Sequence, residues 1–384
     1  MSASADPATA RSVPKTPLKT SRGAAMAPGQ ATAAGLKALH PAVAASADAV
    51  QGLLWAIRAT HEGDIVPLTP DEVRMVLAHP SEPKVIEGIL NKASWMWLHF
   101  NAVNPMARSV LADLPGFPEE AGEALTETEY NVDLDTADEV VWGSLPAFGE
   151  GMVEDDQEIC AWHFAMRERL LLTSRRLPVP LLGIVYRALN RNNIPRDAAG
   201  VVDLALRDFT VAVRKQLASL DDQLDAAEDG LLVTTRSPDL GHLGSIVGKV
   251  RRRATELRRV VVPIDRALHE EDLDMPEWAD DELLDPGRQQ VHAVLDDLFA
   301  LQDRARSLQD ELSANQGEET NRRLYIVSVA TTLMLPATFV TGFFGMNTGG
   351  MFLSQGAWGT VDAGLICCII MAITFLFMKY ARLL

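Results

Sequence analysis

The spacing of hydrophobic residues changes character along this chain, and each change predicts a different kind of element. Residues 1–45 are rich in Ala, Ser, Thr and Pro, carry scattered Arg and Lys, and contain no apolar run. They read as a disordered N-terminal extension and not as a secretory signal; an organelle transit peptide shares the composition but would add an amphipathic helix. From Val50 to Arg176 short apolar runs alternate with turn residues. Leu53 to Ile57, Ser94 to Phe100, Val140 to Leu145, Glu158 to Ala165 and Leu170 to Ser174 predict strands. Thr69 to Leu77, with a Pro-Asp-Glu start, and Pro83 to Leu90 predict helices. Residues 46–196 therefore predict an α/β domain. Trp95 and Trp97 alternate with Met96 and Leu98, so both faces of the sheet are apolar and covered.

After Ile194-Pro195 the period becomes helical, and residues 197–285 predict helices. Asp197 to about Thr234 places Leu204, Val211, Leu217, Leu220 and Leu224 on or near one side. Pro238 to Leu273 carries Arg251, Arg252, Arg253, Arg258 and Arg259, a run expected to pair with neighbouring acids. Glu270 to Asp285 holds many acids and no Lys or Arg, includes Pro276, and reads as a solvated acidic tip between two long helices, able to hold Mg²⁺ or Ca²⁺ only weakly. From Pro286 the helical pattern runs unbroken for about 60 residues, or about 90 Å. Val291, Leu295, Leu298, Leu301, Ala305, Leu308 and Leu312 form its packing stripe.

The far end of that helix changes solvent. Leu324 through Phe344 carries no charge and is long enough to cross a bilayer. Steps of four and three residues pick out Leu324, Ser328, Thr331, Leu335, Thr338, Gly342 and Gly345, a face of small and hydroxylated side chains that lets helices approach closely. Such a face lines a narrow wet path; equally, its hydroxyls can bond back to their own helix carbonyls in a plain single-pass span. The same register carried down the stalk passes Asn321, Gly317, Asp310, Asp303 and Asp296. In a ring of parallel stalks these aspartates would stack as carboxylate rings, with Asp310 nearest the membrane; alone, they make a solvated helix face. Ala363 to Met378 is a second apolar stretch, 16 residues long, with Trp358 and Tyr380 as interfacial ends. Arg322 and Arg323 precede the first span, Lys379 and Arg382 follow the second, and residues 348–362 have neither Lys nor Arg. Both termini are therefore expected on the cytoplasmic side of the plasma membrane, the inner one in a bacterium.

Charge and composition narrow the function. The net charge is −17, yet residues 1–45 hold five Lys/Arg against one acid and residues 321–384 four against one, so the acidity belongs to the middle of the chain. Such a field repels nucleic acid and gathers cations. Cys160, Cys367 and Cys368 make no disulfide framework or metal spacing, and the latter two read as small apolar fillers. His163, between Trp162 and Phe164, reads as a core histidine. No phosphate loop, nucleophile elbow or catalytic constellation is visible, so the chain is not expected to be an enzyme.

Phe344, Gly345, Met346 and Asn347 resemble the Tyr-Gly-Met-Asn motif that ends the first transmembrane helix of the CorA family of divalent-cation transporters. Asn321, the short loop and the second span with its basic end fall where that family has them, so the resemblance covers residues 310–384. It implies a cytoplasmic funnel domain, long stalk helices, two C-terminal spans and a homopentamer in a lipid bilayer. On this chain that gives a stalk helix continuing into the pore-lining first span over residues 286–347, an external loop at 348–362, and an outer second span with a short cytoplasmic tail at 363–384. Carried onto this chain, Asn347, Gly345 and Met346 form the entrance, Thr338 and Asn321 line the path, and Asp310 guards the inner mouth. Asn347, Asp310, Asp303 and Asp296 are the expected cation contacts, while Leu335 and Leu324 make apolar constrictions beside Thr331. No resident cofactor is implied: the divalent cation is cargo, with a regulatory divalent cation as the other role for one. Phe344 stands where the family has Tyr, and Thr348 to Phe352 lacks an acid, both features of the zinc-transporting ZntB branch. Yet the pore face has no His or Cys, the usual ligands for zinc, which leaves Mg²⁺, Co²⁺ and Ni²⁺ open. Neither span core has an ionisable group for a proton relay. A membrane-tethered sensor or scaffold is the competing class.

Overall fold

The computed structural model describes residues 49–60, 64–91, 93–128, 131–149, 159–189, 194–232, 239–269, 275–279, 284–346 and 358–380. The expected extension at 1–45, Glu158, most of Glu270 to Asp285, Asn347 and residues 348–357 of the loop lie outside them. The chain divides into two compact units: residues up to Ala205 with Glu270–Asp285, and Leu206–His269 with Pro286–Leu384.

The first unit is built on a seven-stranded sheet. Its strands are β1 (Leu53–Thr60), β2 (Ile65–Pro67), β3 (Ala93–Asn101), β4 (Asp133–Ala137), β5 (Val140–Phe148), β6 (Ile159–Arg167) and β7 (Leu170–Arg175). The order is β2-β1-β3-β7-β6-β5-β4. Only β3 and β7 run parallel, in a register that sets Met96 beside Leu170 and Leu98 beside Leu172; the other neighbouring pairs are antiparallel. Alternation along β3 sends Met96, Leu98 and Phe100 into a core closed by α1 (Pro70–Ala78), α2 (Pro83–Leu90), α3 (Pro105–Ala112) and α4 (Glu119–Thr126). The tryptophans of β3 go to the other face, where Trp97 meets Trp55 edge-on at 5.1 Å and Trp55 lies 5.2 Å from Tyr186 of α5 (Pro180–Leu189). Both faces are covered, as the doubly apolar strand predicts.

The short elements are the ones the hydrophobic pattern misses. Helices α3 and α4 span eight residues each, too few to print a period, and β4 buries only Leu134. A local signal does mark α3: the Asn104 side chain accepts from the Met106 N–H, ahead of Pro105. Thr69 and Glu72 form a reciprocal capping box at α1, and Arg58 donates to Glu72 and to the Ile89 carbonyl, tying β1 to α1 and α2.

One expectation needs correction. The acidic stretch is not simply a solvated tip, because Trp278 donates its indole N–H to the Glu139 carbonyl at 3.0 Å, and Leu284 is buried. Two apolar side chains within a run of acids are enough to anchor it to the first unit.

In the second unit α6 (Ala199–Leu232), α7 (Leu240–Leu268) and α8 (Asp285–Gly345) pack along their lengths, and α9 (Gly359–Tyr380) joins the far end of α8. Gln316 donates to the Leu240 carbonyl near one end of α7 and His292 meets Asp265 near the other, so α7 and α8 run antiparallel. Every member of the stalk stripe from Val291 to Leu312 is buried. On α6 the stripe is offset from the expected one: Val211 is 57% exposed and Leu204 half-buried, while Leu206, Phe209 and Val213 turn inward with Leu217, Leu220 and Leu224. The α7 arginines act only partly as expected. Arg253 pairs with Glu256 and Gln216, Arg258 lies over the Phe299 ring, and Arg251, Arg252 and Arg259 are exposed. The dense clamp is elsewhere: Arg304 of α8 forks onto Glu228 at 3.1 and 2.8 Å and also meets Asp221 and Asp225, all on α6. These carboxylates, Glu228 first, push the Arg304 guanidinium further toward its charged form.

Two predictions follow from the packing. Burial holds His163 down from its ordinary value of 6.5 to about 4, with Glu127 opposing the shift and Arg176 adding to it. His99, enclosed beside Trp55, is lowered for the same reason, with Arg175 contributing. A depressed histidine lets the unfolded chain take the proton first, so stability is full above pH 6.5 and falls as pH drops toward 4. His163 alone should cost about 2 kcal/mol between pH 7 and pH 5. Melts followed by tryptophan fluorescence should show this slope, and His163→Gln should flatten it. Arg304→Ala should destabilise the helices by roughly 1–3 kcal/mol, with Arg304→Lys recovering only part because it cannot fork, as chemical denaturation would read.

Candidate functional site

The C-terminal part of α8 is where the helix has the least company from its own chain. The window that qualifies it as a membrane span has a mean hydropathy of 1.7 and is 6% buried, so it is no core helix of a soluble fold. Leu324, Ile326, Val327, Met334, Leu335 and Phe339 are all exposed, as are Leu365, Ile373 and Phe377 of the shorter apolar α9. Apolar surface this extensive is stable only against lipid or other protein.

The exposure is not symmetrical. Val340 is buried and Val329, Leu333, Pro336 and Ala337 are half-buried, marking the flank that α9 covers through Met378 and Cys367, whose thiol approaches the Ala337 carbonyl at 3.7 Å. At about 100° per residue this flank lies opposite the face of Leu324, Ser328, Thr331, Leu335, Thr338, Gly342 and Gly345. All seven of those residues are exposed. A Cβ added at Gly342 or Gly345 would meet none of the described residues within 4 Å, so none of them demands glycine there.

The threonine hydroxyls on and beside this face settle their protons internally. Thr331 donates to Val327, Thr332 to Ser328 and Thr338 to Met334, at 2.8, 2.8 and 3.0 Å, and Thr341 donates to Thr338 at 3.1 Å. Back-bonding and a path-lining role are therefore compatible. A hydroxyl whose hydrogen is engaged with its own helix presents oxygen lone pairs outward, which suits a cation or its water shell. The helix ends at Gly345, where the Met346 N–H donates to the Phe343 carbonyl at 3.4 Å, and its negative dipole end lies at the motif. Met346 is 49% exposed just beyond. Asn347, the remaining motif residue, lies outside the described residues.

Below the span the same face continues. Asn321 is exposed, as are Asp310, Asp303 and Asp296, while the leucine stripe opposite them is buried. One chain brings these groups into a single file along α8 but does not bring them together around an ion. Convergence would need further copies.

Comparison with known proteins bears on the family and the fold. The zinc transport protein ZntB of Cronobacter sakazakii is 24% identical over 284 residues, covering 72% of this chain and 84% of that protein. The divalent cation transporter CmaX of Pseudomonas aeruginosa is 26% identical over 294 residues, covering 75% and 86%. Among solved structures, full-length CmaX superposes with a TM-score of 0.67 at 21% identity, over 86% of this chain and 98% of that one. The CorA magnesium transporter of Methanocaldococcus jannaschii gives 0.64 at 13% identity, over 85% and 96%. The α/β unit, the long helix and the fold as a whole are those of CorA, ZntB and CmaX. The profile described as CorA-like Mg2+ transporter protein matches residues 92–380, and the chain belongs to that family.

Proposed function

We propose that the protein conducts divalent metal cations across a membrane through a path lined by α8 in a ring of identical subunits. The observation that carries this reading is the exposed file of hydroxyls and glycines on the side of α8 away from α9. One chain leaves it bare, and close approach of copies gives it a use. The file runs into the Asp310, Asp303 and Asp296 face, which would gather cations at the inner end. Five copies, as the family resemblance implies, would set the helix-end carbonyls near Gly345 and the Asn347 amides around one axis. Neutral oxygens there can hold a hydrated dication without trapping it. Thr338, Thr331 and Asn321 would line the path, with Leu335 and Leu324 as its apolar constrictions.

For the cargo, Zn²⁺ is the first choice, supported by the likeness to ZntB. A second reading, Mg²⁺ with Co²⁺ and Ni²⁺, has its own support in a face that offers oxygen and neither imidazole nor thiolate. The basic residues at both ends of the membrane portion favour termini on the cytoplasmic side of the plasma membrane.

Flux of Zn²⁺, Mg²⁺, Co²⁺ and Ni²⁺ in turn into proteoliposomes, with and without a pH gradient, tests the reading. Asn347→Ala should lower flux roughly tenfold or more, since each subunit loses a hydrogen-bonding group at the entrance, while the assembly persists on size-exclusion chromatography. Unchanged uptake would remove the pore assignment and favour a sensor or scaffold. Gly342→Leu should also abolish flux, yet leave the melt of each chain unchanged, because its side chain enters space that only another copy fills.

A further inference from the structure

A cluster of metal-ligating side chains lies on the helices well away from the pore face. Asp265 in the last turn of α7, His269 at its C-cap and His292 about two turns into α8 each offer one ligand atom, and these atoms lie within 4.8 Å of one another. We propose that Asp265, His269 and His292 bind a single transition-metal dication of zinc's chemical type and thereby fasten the start of α8 to the end of α7. The inference does not rest on the transport reading.

The geometry is that of a site close to assembled. His292 Nδ1 stands 3.2 Å from Asp265 Oδ1. Two bonds of about 2.0–2.1 Å meeting at a tetrahedral angle would hold their ligand atoms roughly 3.3 Å apart. His269 Nδ1 lies 2.7 Å from the main-chain carbonyl of Asp265, one helical turn back. The same Nδ1 lies 3.5 Å from the Asp265 carboxylate, so a ring turn that releases the carbonyl offers a ring nitrogen to a metal held there. The two rings sit 5.6 Å apart at 57°, so neither blocks the other. The Asp265 side chain is 18% exposed and fixed in place, whereas the imidazoles are 44% and 58% exposed and can rotate the remaining distance.

The donor set selects the ligand. Two imidazoles and one carboxylate favour Zn²⁺, Co²⁺ or Ni²⁺ over Mg²⁺ and Ca²⁺, which seek oxygen. Three protein ligands leave a position for water, which marks an exchangeable site and not a closed structural one. Asp265 and His269 belong to α7 and His292 to α8, the helix that runs on into the span, so occupancy would report metal concentration to the stalk.

Purified full-length protein in detergent, stripped with chelator, provides the test. Zn²⁺ is titrated by equilibrium dialysis, and Co²⁺ by the visible absorption of its tetrahedral complexes. Wild type should take up one equivalent per chain that a large excess of Mg²⁺ does not displace. His292→Ala and Asp265→Asn should weaken that equivalent about tenfold or more and remove the tetrahedral Co²⁺ band. If Asp265→Asn melts early, the exposed His292→Ala decides, read as loss of the Zn²⁺-dependent rise in melting temperature seen in wild type. Identical titrations in wild type and variants, or displacement by Mg²⁺, would overturn the assignment and leave a plain His–Asp–His hydrogen-bonded group.

Discussion

A helix that must leave water while still attached to a stalk that stays in it is the constraint on which this protein turns. Along α8 the burial stripe of Val291 to Leu312 ends, and the span beyond it is 6% buried by its own chain. Backbone hydrogen bonds are satisfied within the helix, so lipid can accept that segment. Among the described residues, however, none packs on its face of threonines and glycines. Its hydroxyl protons are taken by carbonyls one turn back, which leaves oxygens outward and a surface smooth enough for a second helix.

The same helix carries two other jobs in the second unit without conflict, because they use different sides. Its leucine stripe packs against α6 and α7, and Arg304 locks it to three carboxylates on α6. The aspartates at positions 296, 303 and 310 occupy the opposite side, continuous with the hydroxyl face. A continuous helix transmits a displacement at one end to the other, and for that reason a metal-sensitive contact at His292 would matter to residues many turns away.

Within the first unit, stability rests on a sheet whose two faces are both dry. Trp55, Trp97 and His99 share one face, where the Thr173 hydroxyl lies within 2.8 Å of both the Trp97 indole nitrogen and His99 Nδ1. Such a seam tolerates neutral imidazole and resists charge. Within this unit the buried His99 and His163 are both held toward the uncharged form.

Five strands, the two capped helices, the three long helices, the two apolar stretches and the single-file face on α8 were legible because each repeats a period over enough residues to be read locally. The Gly345-Met346-Asn347 motif added the family. Short elements such as α3, α4 and β4 were not legible, since they carry few buried apolar positions of their own and their burial comes from neighbours distant in sequence. The offset of the α6 stripe, with Val211 outside and Val213 inside, depends on which helices it meets. Likewise Trp278 docks on Glu139, and Arg304 finds Asp221, Asp225 and Glu228, across separations no local rule spans. Asp265 and His269 show as an i, i+4 pair in the sequence, but the third ligand comes from another helix. Local periodicity is a property of the chain alone, whereas partners for charge, indole and imidazole are chosen only when folding brings remote segments together.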